Sequence, residues 1–275
     1  MAESDASSWP AGGRPSLPIP GLVRVLGVGL GLHFKMLSRS PFDLFVVVAS
    51  PLIFATLAYF LFNGGGGSNL LVAALASGVM GIWSSTTASG AGALQTQRRL
   101  GVLELLVGTP TPFWAVVLPI TVAISAIGIY SLAVGLVYVR LIFGVAITIQ
   151  QWVAFLVAVP ATIASIGSLG FLFASALVRY RAAFQIGNIF EWPVWMICGL
   201  LIPVSVLPGW LQPVSWLFAP TWGMAALRGA TLGSGSPWAD VGMCAVLAAA
   251  YLLAGVAFLH FFLRSARARA TLALS

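Results

Sequence analysis

Charge is what this sequence has least of. Of its 275 residues, 7% are charged and 60% are hydrophobic, whereas an ordinary soluble domain is about 25% charged. So few ionic groups cannot solvate the surface of a water-soluble chain of this length. Lysine is almost absent: Lys35 stands alone, and the other basic residues are arginines. That excludes a G-x-x-x-x-G-K-[ST] phosphate cradle. There are two histidines, His33 and His260, and two cysteines, Cys198 and Cys244, at spacings that fit no metal site. No H-E-x-x-H or G-x-S-x-G occurs. Acidic residues number six, two of them in the first five positions. Neither a carboxylate dyad nor a metal centre is supported, so no catalytic residue is assigned and no cofactor is expected on this chain. A membrane-embedded enzyme is disfavoured for the same reason, and no nucleic-acid partner is expected.

Long apolar runs take the place of charge. No ionic residue occurs from Leu44 to Gln97, Leu105 to Val139, Leu141 to Val178, or Trp192 to Leu227. A membrane-spanning helix needs roughly 20 apolar residues. The runs predict an all-α, polytopic membrane protein with six transmembrane helices. The spans are expected at 41–62, 70–94, 113–138, 152–177, 183–204 and 241–262, within a membrane domain over 41–263. The Pro-, Gly- and Ser-rich stretch 1–20 lacks the apolar core of a signal peptide and reads as a disordered tail. Residues 264–275 read as a second tail.

Orientation follows the basic residues. Arg14, Arg24, Lys35, Arg39, Arg98, Arg99, Arg179, Arg181, Arg264, Arg267 and Arg269 fall on one side, and only Arg140 and Arg228 on the other. Both termini are therefore expected in the cytoplasm of a cell whose inner membrane holds the protein. The turn "NGGGGSN" (63–69) is expected outside.

Ahead of the first span, residues 21–40 carry Arg24, Gly31, Lys35 and Arg39 on one stripe, with Leu22, Leu26, Leu30 and Phe34 over much of the rest. A basic stripe on an apolar helix lies in the membrane interface. Either a plain anchor or a mechanical element fits that pattern. In span two, Ala73, Ser77, Gly81, Ser85, Ser89 and Ala93 recur every four residues. Small side chains let backbones approach closely within a membrane; a polar lining for a transport path is the rival reading.

Glu191 sits inside span five, where a carboxylate is costly unless it meets a cavity or a partner. Asn188 is one candidate partner. Pro193 removes a helical hydrogen bond just after it. Phe190 and Trp195 could line an apolar pocket, which makes Ser85, Ser89, Phe190, Glu191 and Trp195 the candidate substrate path. Beyond span five, Pro203, Pro208, Pro213 and Pro220 recur too often for a straight helix. A short re-entrant helical hairpin over 203–230 fits better, because irregular backbone at membrane depth must be buried in protein. Trp210, Trp216 and Trp222 would then sit at headgroup level.

One charged island interrupts the apolar runs: "LQTQRRLGVLELLVGTP", Leu94 to Pro110. Arg98 and Arg99 stop translocation, Leu100, Leu103, Leu106 and Val107 form an apolar stripe, and Pro110 and Pro112 end the piece. A short amphipathic helix at the membrane face is a natural dock for a soluble partner. The plainer reading is a basic loop that only sets topology.

"QRRLGVLELLVGTP" resembles the loop of type 2 ATP-binding-cassette exporter permeases, through Arg98, Gly101, Leu103, Glu104 and Pro110. It departs from them where Arg99 replaces a common acid and Val102 a common threonine. "CGLLIPVSVLPGWLQPVSWLFAPTWGMAALRG" is similar to the same family's outer segment, through Gly199, Pro203, Leu207, Pro208, Pro220 and Arg228. The resemblance implies a permease subunit of an exporter, with 95–110 as its coupling segment. Arg98, Arg99, Gly101, Leu103, Glu104 and Leu106 would dock the ATPase. The implied partners are two separate ATPase subunits, which carry ATP and Mg, and a second permease copy or a sibling permease in the lipid bilayer. A hydrophobic or amphipathic cargo, a drug, lipid or glycan-like molecule, is expected. The alternative is a secondary transporter or channel that needs no ATPase.

Overall fold

The computed structural model describes residues 24, 27, 28, 31, 35, 41–62, 67–99, 114–177, 183–201 and 203–268. Every regular element among them is a helix: α1 (Pro41–Phe62), α2 (Gly67–Arg99), α3 (Trp114–Phe143), α4 (Trp152–Leu177), α5 (Ala183–Ile197), a 3-10 turn (Val204–Val206), α6 (Gln212–Trp216), α7 (Ala219–Leu232) and α8 (Pro237–Ala268). Of the described helical segments, Thr121–Phe143, Trp152–Ala176 and Pro237–Phe261 are long and apolar enough to cross a membrane. A helix covers most of each of the six stretches expected from the apolar runs. Arg24, Gly27, Val28, Gly31 and Lys35, spaced as one helix face, have helical backbone and are exposed.

The boundaries differ from expectation where local geometry intervenes. Helix α2 does not stop at Leu94 but runs on to Arg99, because nothing in "QTQ" breaks a helix. At 33 residues it is about 50 Å long, well beyond the ~30 Å hydrocarbon core. Helix α5 is shorter than expected, ending at Ile197 rather than Val204. Gly199 adopts φ +77° just beyond it, a left-handed conformation that ends helices.

Helix α2 is the hub. It packs against α1, α3, α4, α5 and α7, while α8 lies on the flank against α4 and α7. The seam between α2 and α3 is built from small residues on both sides. A Cβ at Gly81 would run into Ser131, one at Gly78 into Leu132, and one at Gly128 into Ile82. Between helices in lipid there is no hydrophobic driving force, so close backbone approach supplies the attraction. Several buried hydroxyls are neutralised locally. Thr86, Ser125, Thr162 and Ser175 each donate to the carbonyl four residues back, at 2.7–2.8 Å, which spares an unpaired donor in an apolar interior. Outward, α8 displays Val246, Leu253, Phe258 and Phe261, all more than half exposed. That apolar exterior suits lipid and is foreign to a soluble monomer.

One end of the bundle is held by a distinct cluster. Tyr59 of α1 stacks on Phe143 of α3 at 3.8 Å, and Ala55, Leu71, Val139 and Val145 pack together there with Leu232 beside them. The Gln151 amide donates to the Ala230 carbonyl at 2.9 Å, and Gln150 to Thr231 at 3.3 Å. Gly233, at φ +66°, caps α7 against Gln150. The C-terminal ends of α1, α3 and α7 thus meet the N-terminal ends of α2 and α4. Arg140 and Arg228 lie at this end, and Arg99 at the far end of α2.

Candidate functional site

The contact between α2 and α5 contains the one described carboxylate between Leu44 and Ala239. Along α5, Gly187, Val194, Trp195 and Cys198 face inward at helical period, which turns Glu191 toward α2. The Ser84 hydroxyl donates to Glu191 Oε1. The partner is therefore a residue of another helix, rather than Asn188 of its own turn. Sequence spacing could not reveal this, because the two residues meet only when α2 and α5 pack.

Chain neighbours of the pair take part in ring contacts. Phe173 lies 5.7 Å from Phe190 and 6.1 Å from Trp83. Trp195 lies 4.9 Å from Trp192 and 4.8 Å from Phe54. Phe190 and Trp192 are exposed, whereas Trp195 is only 2% exposed. Trp195 therefore packs the α1–α5 contact within this chain and does not line open space.

On α2, the small-residue stripe divides. Ala73 and Ser77 are buried, and Gly81 is closed off by α3, so this part serves packing. Ser85 is half-buried and bonds back to the Ile82 carbonyl at 3.0 Å. The side chain of Ser89 lies outside the described residues. The structure thus brings Ser84, Glu191 and Phe190 to one place, with Ser85 one residue along.

The segment after α5 folds back on the bundle. Pro203 precedes the 3-10 turn, Pro208 accepts the Leu211 amide in a turn at 2.8 Å, and Pro213 and Pro220 occupy the first turns of α6 and α7. Proline is suited to helix starts, where its missing N–H costs nothing. The start of α7 is tied to the middle of α8, since the Tyr251 hydroxyl donates to the Leu217 carbonyl. Helix α7 then runs antiparallel to α4, with Gly223 against Thr162. Between α5, α6 and α7 lies a cavity of about 170 Å³, lined by Cys198, Gly199, Trp216, Trp222 and Arg228 among others. Tyr251 and this cavity carried no sequence signal, because their partners are remote in the chain. The two thiols, Cys198 and Cys244, are free and buried.

Of the candidate docking residues, Arg98 and Arg99 form the last positions of α2. Gly101, Leu103, Glu104 and Leu106 lie outside the described residues.

Comparison with known proteins agrees with the architecture. The family model described as ABC-2 type transporter matches residues 30–232, well over half of the chain, ending where α7 ends. A comparison with curated proteins found no match. The chain belongs to the ABC-2 type transporter family, whose members are membrane permeases that normally pair with an ATP-binding-cassette subunit.

Proposed function

We propose that this chain is the permease subunit of an ATP-driven exporter that moves a hydrophobic or amphipathic molecule out across the cytoplasmic membrane. The family match over residues 30–232 carries the reading. In this reading six helical stretches cross the membrane, the 15-residue α5 together with the residues that flank it, and the segment over 203–230 re-enters from the outer side. Both termini and the 95–110 segment are cytoplasmic. The clustering of Arg140 and Arg228 at one end of the bundle, with Arg99 at the other, supports that orientation under the positive-inside rule.

Helix α2 is the force-bearing element. It is too long for the bilayer, so its Arg99 end projects toward the cytoplasm and hands directly to the coupling segment. Arg98, Arg99, Gly101, Leu103, Glu104 and Leu106 receive the ATPase there. ATP and Mg bind to two such partner subunits and not to this chain. A rigid helix with tight seams to α1, α3 and α5 transmits displacement, because packed interfaces shift as units and do not deform continuously. The cargo passes between this chain and a second permease, near Ser85, Ser89, Phe190 and Glu191.

The test is copurification from native membranes together with cargo efflux in reconstituted vesicles. Efflux that requires ATP and a bound ATPase supports the proposal. Efflux driven by a proton gradient with no ATPase present would assign the chain to secondary transport instead.

A further inference from the structure

The cavity between α5, α6 and α7 has one cation at its edge and mostly apolar or aromatic walls; its one hydroxyl, on Thr221, is already engaged by the Ser215 carbonyl at 2.6 Å. Its lining includes Cys198, Val204, Trp216, Trp222, Met224 and Arg228. Arg228 is exposed, and its guanidinium makes no hydrogen bond among the described residues. The nearest described counter-charge is Asp240, across the α7–α8 turn, which attracts Arg228 without forming an ion pair of contact length. The Trp222 indole N–H is already engaged by the Trp216 backbone carbonyl at 2.7 Å, which orients the Trp222 ring at the wall. Trp216 of the lining, and Val206, Trp210 and Leu217 close to lining residues in the chain, are all more than half exposed.

We propose that this cavity is a binding site for an anionic phospholipid, whose phosphate meets Arg228 while its glycerol and upper acyl chain fill the Trp216–Trp222 wall. The assignment rests on the exporter reading only for placing Arg228 at the outer leaflet. A guanidinium presents a planar fork of donors that matches phosphate oxygens, and it is more weakly hydrated than an ammonium. Indole rings settle where apolar chains meet headgroups. A cavity of about 170 Å³ slightly exceeds the ~150 Å³ that accepts a benzene-sized guest. It therefore takes the neck of one lipid rather than a whole molecule. The bound lipid would wedge between α6 and α7 and hold the re-entrant segment against the bundle.

The test uses the full chain, purified from vesicles made of equal parts phosphatidylglycerol and phosphatidylcholine, with retained lipid counted by native mass spectrometry. No ATPase is present, so failure of the exporter reading and failure of the lipid site are read separately. The wild type is expected to retain phosphatidylglycerol in preference. Arg228→Gln should lower that preference by about tenfold, the scale of one charge-assisted hydrogen bond, and Arg228→Lys should keep most of it. Ala225→Phe, which fills the cavity and leaves the charge, should also abolish retention. Asp240→Asn removes the competing anion and should raise retention, which keeps the test open if Arg228→Gln does not fold. Equal retention of both lipids by the wild type, or unchanged preference in Arg228→Gln and Ala225→Phe, would overturn the site. Displacement by millimolar glycerol phosphate would overturn the lipid assignment in favour of a soluble anion.

Discussion

The Ser84 hydroxyl on α2 donates to the Glu191 carboxylate on α5, joining residues 107 positions apart. This bond couples the helix that leads into residues 95–110 with the helix that carries the exposed Phe190 and Trp192. Movement of α2 would therefore be felt at α5 through a polar contact as well as through packing. A double-mutant cycle of Ser84→Ala and Glu191→Ala should show a coupling of about 0.6–1.7 kcal/mol, the range for hydrogen bonds between membrane helices. Unfolding in mixed detergent measures it. Additive losses would mean that the two side chains are neighbours without interaction. Glu191→Ala should also change export, and normal export together with normal stability would leave this residue no role.

The seam between α2 and α3 predicts a contrast between glycines. Gly128→Val drives a branched side chain into Ile82 and should destabilise by about 1–3 kcal/mol, the usual cost of overpacking. Gly242 on α8 has nothing within 4 Å of a new Cβ. Gly242→Ala should be neutral or stabilising by up to about 1 kcal/mol, because alanine favours the helix. Thermal stability in detergent distinguishes the pair, and equal effects would refute the close seam.

Tyr251 ties the segment between α6 and α7 to α8 by its bond to the Leu217 carbonyl. Tyr251→Phe removes the donor and leaves the acceptor in place, at a cost of about 1 kcal/mol. Faster hydrogen exchange confined to residues 212–220 is the expected readout. Loosening spread evenly over the whole chain would place the anchor elsewhere.

Docking is tested in the 95–110 segment. Leu103→Asp and Glu104→Arg should reduce copurification of the ATPase, and with it export, while insertion in the membrane stays intact. Undiminished copurification with both variants would remove the segment from the interface.

Sidedness is open to thiol labelling. Cys198 and Cys244 are buried, so background reaction should be low. Ser234→Cys, in the exposed α7–α8 turn, should react with an impermeant reagent applied to intact cells. Thr109→Cys should react only after the cells are opened. The reverse pattern would invert the protein and end the exporter reading.

The apolar runs by themselves determined that this is a helical membrane protein, and they located its long helices to within a few residues at most ends. Helix α4 covers the predicted stretch from Trp152 to Leu177, because the cost of putting charge in lipid is local and can be read residue by residue. The basic residues split the bundle into two ends in the same way, and the charged island declared itself by contrast with its surroundings. Only the tertiary structure decided which small residues on α2 close a seam and which remain at its edge, that Glu191 belongs to Ser84 and not Asn188, that Trp195 is packing, and that a cavity lies beneath Arg228. These are properties of pairs. A side chain on one helix finds its partner through the crossing and rotation of another, and neither is encoded in any single stretch of apolar sequence.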